Sequence, residues 1–336
     1  MDTIRNTIAE NFGGPAQKLA THKFSLEECP DLSGKVMVGT GLTEGIGYGV
    51  MYTLLKNNIS KVHAISTSEE VKDAAINDIA ENLGEPAAQK VQWYQCDLSD
   101  WAKVAKIASK IAKSTSRIDI LFNNAGRGIM TYQLTDLGVD RHMAVNHIAH
   151  VILTSHLLPV MKKTASEGHT VRIVNQSSNA HQASPSTVEF SSVDELNQDL
   201  GPNGQYGRSK LAVLLHARYL ARHLSSTHPN ILANATHPGF VATTMSTRDI
   251  HEPYPLAGYA MSVGMQPFKK DQWEGATSAV YALTKTVNTG EYICPPAVPE
   301  SGTELSQDEG LAEQLMELTR SLIKEKLPEE SDLKDF

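Results

Sequence analysis

Short apolar runs recur along the chain from Lys35 onward: Val36–Val38, Val62–Ile65, Val91–Tyr94, Ile118–Phe122, Val171–Val174, Ile231–Ala235 and Tyr292–Ile293. Each has the length and the β-branched or aromatic content of a buried strand. Between them lie longer segments with apolar residues every three or four positions: Val71–Leu83, Trp101–Ala112, Val139–Met161, Leu211–Leu224 and Ala276–Thr286. That period predicts amphipathic helices. Strands alternating with helices predict βαβ units, and so an α/β fold with a doubly wound parallel sheet of about seven strands and helices on both faces.

The alternation runs almost to the end without a repeat or a low-complexity linker, which predicts one domain over residues 34–336. Residues 1–33 are mixed and polar, broken at Gly13-Gly14-Pro15, and read as an extension that packs on the body. Residues 240–272 lose the period and are rich in Gly, Pro, Met and aromatics. They read either as a segment covering the substrate or as an irregular surface excursion. Leu311, Leu315, Leu318, Leu322 and Ile323 among charges predict a C-terminal amphipathic helix over 308–326, followed by an acidic tail.

Composition narrows the function classes. Hydrophobic residues make up 40% of the 336, enough for a large core, and the formal net charge of -8 argues against nucleic acid or an anionic membrane as main partner. Three scattered cysteines give no disulfide framework and no metal spacing. His142, His147, His150 and His156 share one predicted helix without forming a ligand face with a carboxylate, so no metal is expected. The first thirty residues hold no apolar signal-peptide core, and no continuous apolar stretch is long enough to span a membrane. A cytoplasmic location is expected.

The candidate chemistry sits where predicted strands end. Thr40-Gly41-Leu42-Thr43-Glu44-Gly45-Ile46-Gly47 follows the first strand and opens a helix. Glycines there allow a tight turn, and the helix N-terminus offers free N–H groups to a pyrophosphate. Asp97-Leu98 ends the third strand, where the carboxylate could bond an adenine amino group or cap the next helix. Asn124-Ala125-Gly126 ends the fourth strand. Ser66-Thr67-Ser68 ends the second, where the 2′ position of a dinucleotide would be read. No carboxylate stands there to repel a 2′-phosphate, and three hydroxyls could bind one; Glu44 in the glycine loop pulls the other way. NADP(H) is therefore favoured and NAD(H) admitted.

Tyr206 and Lys210 open a long helix four residues apart, which puts both on one face. An ammonium beside a phenol favours the phenolate, so the Tyr can exchange a proton with a carbonyl or alcohol oxygen. Ser178 ends the fifth strand and could polarise a carbonyl; a cap or turn role suits Ser177 better. Asn146 is a polar residue in an otherwise apolar helix, and needs its amide satisfied. Pro238, Gly239, Val241 and Thr243 follow the sixth strand and could line a nicotinamide.

Together these motifs, from about Lys35 to Ile293, resemble the classical short-chain dehydrogenase/reductase family. The resemblance implies a Rossmann-like sheet and a tetrad of Asn146, Ser178, Tyr206 and Lys210. Tyr206 would be the acid/base, Lys210 would tune it and hold the nicotinamide ribose, Ser178 would orient the substrate oxygen, and Asn146 would hold a water in a proton relay. Gly41, Gly45 and Gly47 match the family's glycine loop, Asn124 its Asn-Ala-Gly turn, and Thr243 its carboxamide contact. The long gap from Ser178 to Tyr206, with Asn179-Ala180-His181, is similar to the retinol-dehydrogenase-like and protochlorophyllide-reductase-like branch, and the N-terminal extension is similar to fungal members of the family, ketoreductases among them. The expected activity is NADP(H)-dependent interconversion of an apolar, bulky ketone or aldehyde with its alcohol, a secondary metabolite being one candidate. An NAD-preferring alcohol dehydrogenase and a non-catalytic dinucleotide sensor are the rivals. The expected partner is a small carbonyl or alcohol molecule, and a homodimer is left open.

Overall fold

The computed structural model describes residues 24–241, 252–253 and 270–328. Eight strands form one sheet: β1 (Val36–Thr40), β2 (Lys61–Ser66), β3 (Val91–Gln95), β4 (Ile120–Asn123), β5 (Val171–Gln176), β6 (Ile231–Thr236), β7 (Tyr292–Cys294) and β8 (Val298–Glu300). Their order is β3-β2-β1-β4-β5-β6-β7-β8, parallel throughout except for the antiparallel β7–β8 pair. The main helices are α1 (Gly45–Lys56), α2 (Glu69–Leu83), α3 (Trp101–Ser114), α4 (Arg141–Ser166), α5 (Gly201–Ser225), α6 (Gln272–Thr284) and α7 (Glu309–Lys326).

The inner strands β1, β4, β5 and β6 are short and almost wholly buried, which is why they read as apolar runs rather than alternating ones. One face is covered by α3, α4, α5 and α7, built on Trp101, Ile148, Leu153, Leu215 and Leu315. The other is covered by α1, α2 and α6, built on Met51, Leu54, Ile79, Val280 and Leu283. Of the N-terminal extension, Phe24 is buried against the Tyr281 ring, with centroids 5.4 Å apart. The eighth strand has three residues with Pro299 in the middle, and only an edge strand tolerates a residue that cannot donate to the ladder.

The connection from β3 to β4 brings β4 beside β1, so the strand order reverses there. At such a reversal the loops leave the sheet in opposite directions and open a crevice at the carboxyl edge. Among the described residues one helix, α4, is long and apolar enough to cross a membrane, but 78% of that window is buried inside the protein. Its hydropathy is that of a core helix.

Candidate active site

The crevice is bounded by the carboxyl ends of β1, β4, β5 and β6. After β1 the chain turns through Gly41 at φ +64 and enters α1 at Gly45, where Glu44 supplies no side-chain cap. A Cβ on Gly47 would stand 1.9 Å from the Gly41 carbonyl oxygen, so only glycine permits this turn. Thr43 is buried and Ile46 half-buried at the helix start. Across the crevice, the Asn124 amide donates to the carbonyls of Thr40 and Gly41, at 3.0 Å each. The Thr40 hydroxyl accepts the backbone N–H groups of Asn124 and Ala125, at 3.0 and 2.9 Å. The glycine turn and the Asn-Ala-Gly turn are thus one bonded unit.

The candidate proton-transfer pair lies on α5. Tyr206 is half-buried and Lys210 buried, with the ammonium 5.7 Å from the Tyr206 ring centroid. The ammonium donates to the Gln176 carbonyl at 2.8 Å, and burial lowers its pKa to about 8. Ser209, between them in sequence, donates to the Tyr206 carbonyl and accepts from the Asn146 amide, both at 2.8 Å. A Cβ on Gly126 would lie 3.0 Å from Asn146 Oδ1 and 3.5 Å from Lys210 Nζ. The Asn-Ala-Gly turn therefore abuts both residues.

Asn146 sits in a π-turn, Ala144–Ile148, at the start of α4, where the Ala149 N–H reaches back to the Ala144 carbonyl. Its amide donates to the Arg127 carbonyl at 3.0 Å as well as to Ser209, and its Oδ1 accepts the Arg127 N–H at 2.6 Å. These satisfy the buried polar group that the apolar pattern leaves unexplained. Its backbone carbonyl lies 3.0 Å from His150 Nδ1.

Ser178 follows β5 and caps the 3₁₀ turn Asn179–Ala183: its hydroxyl accepts the Ala180 N–H at 3.2 Å. The expectation that a cap role suits Ser177 better is reversed. Ser177 instead donates to the Lys210 carbonyl at 2.8 Å. Asp97 does not cap α3 either. Asp100 does, accepting the Lys103 N–H at 3.0 Å, while Asp97 accepts from Ser99 and faces Arg141 at 3.6 Å. Leu98 has its side chain in the core. Ser66 accepts the Trp93 indole N–H at 2.8 Å and Ser68 caps α2 through the Val71 N–H at 3.3 Å, leaving Thr67 exposed between them. Pro238 and Gly239 follow β6, Val241 is buried against Gly275, and Thr243 lies outside the described residues.

Residues to which the sequence gave no part in this site include Ser209, Gln176, Arg127 and His150, the last weighed there only as a metal ligand. Ser209 had a signal in its place between Tyr206 and Lys210. Gln176 and Arg127 act through backbone atoms and leave none in side-chain chemistry. Among the described residues no three His, Cys, Asp or Glu side chains gather as metal ligands. The α4 histidines have separate hydrogen-bond partners: His142 the Gly128 carbonyl, His147 Thr319, His150 Thr40 and Asn146, and His156 the Ile152 carbonyl.

The family model described as short chain dehydrogenase matches residues 35–253. The mitochondrial oxidoreductase bli-4 of Neurospora crassa is 57% identical over 331 residues, covering 97% of this chain and 80% of that protein. Polyprenol dehydrogenase of Danio rerio is 30% identical, covering 79% and 78%. The solved Pseudomonas aeruginosa RhlG/NADP active-site complex superposes with a TM-score of 0.57 at 25% identity, covering 78% of this chain and 95% of that one. The cytoplasmic expectation does not stand, since the Neurospora relative is by name mitochondrial. It rested on a missing apolar signal core, whereas organelle-directing segments are amphipathic and basic rather than apolar. The chain belongs to the short-chain dehydrogenase family, NAD(P)-dependent oxidoreductases acting on CH–OH and C=O groups.

Proposed function

We propose that this chain is an organellar, NADP(H)-dependent reductase of an apolar, bulky ketone or aldehyde, or the dehydrogenase of the matching alcohol. The observation that carries the reading is the convergence of Tyr206, Lys210 and Asn146 at the bonded glycine turn, Gly126 abutting the last two. In this reading the pyrophosphate rests on Gly41, Thr43, Gly45, Ile46 and Gly47, and the adenine lies near Asp97 and Leu98. Ser66 and Thr67 face the 2′ position, Asn124, Ala125 and Gly126 border the ribose, and Pro238, Gly239, Val241 and Thr243 line the nicotinamide. The start of α1 fits such a group, because no side chain caps it and its N–H groups face the crevice end of β1.

When bound, the nicotinamide supplies or accepts a hydride at the carbonyl carbon. Tyr206 gives its phenolic proton to the carbonyl oxygen as charge develops there, or removes it in the reverse direction. Lys210 stabilises the phenolate left behind and donates to the ribose. The Ser178 hydroxyl accepts the Ala180 N–H through a lone pair and donates to Asn179 Oδ1 at 3.4 Å, a long bond that it would exchange for one to the substrate oxygen. The Asn146 carbonyl receives the relay water.

The donor inventory also supports NADP(H). Ser66 and Ser68 spend acceptor capacity on the Trp93 indole and the Val71 N–H, which leaves their hydroxyl hydrogens for a phosphate. Glu69 and Glu70 in the first turn of α2 support the NAD(H) alternative instead, by their charge. The apolar substrate reading is supported by the Danio rerio relative, which is by name a polyprenol dehydrogenase. The test measures kcat/KM with NADPH and NADH against a panel of apolar ketones and isoprenoid alcohols, in the parent and in Thr67→Asp. We expect NADPH preference in the parent and its loss in the variant by about tenfold or more, the result of roughly 1–3 kcal/mol of screened repulsion. A parent that prefers NADH would overturn the cofactor assignment, and no turnover with any substrate would favour a dinucleotide sensor.

A further inference from the structure

The tetrad reading leaves His150 without a role, although it is buried and joins the two halves of the site. Its Nδ1 lies 3.0 Å from the Asn146 carbonyl oxygen, and its Nε2 lies 2.9 Å from Thr40 Oγ1. Donor counting fixes every hydrogen in this chain of contacts. A carbonyl only accepts, so Nδ1 carries the proton and Nε2 is an acceptor. Thr40 Oγ1 already accepts the N–H groups of Asn124 and Ala125, which uses both its lone pairs. Its one hydrogen therefore goes to His150 Nε2. Neither the Thr40 hydroxyl nor the imidazole has capacity left over, and Thr40, His150 and Asn146 are all buried.

We propose that His150 is a positioning residue for the reaction, a neutral clasp that sets the Asn146 carbonyl and the glycine and Asn-Ala-Gly turns in register; this rests on the tetrad reading above. One end of the imidazole fixes the direction of the carbonyl that the relay uses. The π-turn makes this contact matter, because it displaces the ordinary helical bonding around Asn146. The other end orients the Thr40 hydroxyl, which in turn holds the backbone of Asn124 and Ala125 against Gly41. Burial pushes the His150 pKa down to about 4, with the Lys210 charge acting in the same direction, so the ring stays neutral in one tautomer at working pH.

Side-chain length separates the two ends experimentally. In His150→Asn the amide nitrogen falls where Nδ1 stood, keeping the Asn146 bond and losing Thr40. In His150→Gln the amide oxygen reaches the Nε2 position, keeping Thr40 and losing Asn146. His150→Leu loses both. The experiment measures kcat at saturating substrate and the NADPH dissociation constant by fluorescence titration, for all three and the parent. The Asn variant should keep kcat within about twofold and bind NADPH about tenfold more weakly, one hydrogen bond's worth. The Gln variant should show the reverse split, about tenfold in kcat with binding nearly unchanged, and Leu should show both losses. Equal losses in the Asn and Gln variants, or lowered melting temperatures with kcat and binding intact, would overturn the proposal. If Leu fails to fold, the Asn and Gln pair still decides. A Tyr206→Phe enzyme that remains active overturns the tetrad reading instead, independently of the His150 split.

Discussion

Lys210 is a charge held out of water, its ammonium donating to the Gln176 carbonyl. Its pKa falls from the ordinary 10.5 to about 8, because burial disfavours the ammonium. The unfolded chain therefore binds this proton more tightly than the folded one, and folding carries the full penalty below pH 8. That penalty is relieved as pH rises from about 8 towards 10.5, so stability from this group increases over that window. At pH 7 it corresponds to about 3 kcal/mol, reduced by the Gln176 bond to roughly 2 kcal/mol. Lys210→Met, measured without cofactor, should be more stable than the parent by about that amount at pH 7 and inactive. The gap should close between pH 8 and 10 in urea unfolding curves. A constant gap would show that the lysine is not held at a lowered pKa.

The same residue scale shows what sequence can and cannot reveal. Tyr206 and Lys210 were legible because helical spacing alone puts them together. Asn146 was legible as an anomaly, a polar side chain in an apolar stripe. His150 was not, because Thr40 lies 110 residues away and nothing local marks the pairing. Ser177 and Ser178 were assigned the wrong way round for capping. Adjacent serines differ only in which one meets the free N–H of the next turn, and that depends on how the chain leaves β5.

At the scale of elements, helix existence followed from period but helix ends followed from caps. The α6 helix starts at Gln272, ahead of its apolar period, because Asp271 accepts the N–H groups of Trp273 and Glu274. The β8 strand was missed because three residues around a proline carry no strand pattern. The junction between α5 and the turn after β5 is also invisible in the pattern, and it is narrow. A Cβ on Gly207 would stand 2.8 Å from the Ala180 carbonyl oxygen and 2.9 Å from the Ser184 nitrogen, both backbone atoms. Gly207→Ala gains helix propensity, by about 1 kcal/mol, but must push the Ser178-capped turn away. We expect kcat to fall by about 10- to 100-fold, as for a displaced reacting group, with NADPH affinity nearly unchanged. Steady-state kinetics with a fluorescence titration checks this, and an unchanged kcat would mean that the turn does not position Ser178.

At the scale of the whole molecule, the alternating pattern gave the doubly wound class, and β8 added an antiparallel edge. The carboxyl edge of that sheet gathers motifs spread from Thr40 to Val241, which is why separate weak signals formed one strong one. Location was not legible, since charge and hydropathy describe solubility rather than address. In the proposed mechanism Tyr206 transfers the proton beside the dinucleotide. The most direct test is Tyr206→Phe, with NADPH-dependent carbonyl reduction and NADPH affinity measured on the same preparation. The ring and its packing survive and only the proton is lost, so kcat should fall by about 10²–10⁴-fold or more while the dissociation constant barely moves. A Phe variant with near-normal kcat would contradict the account.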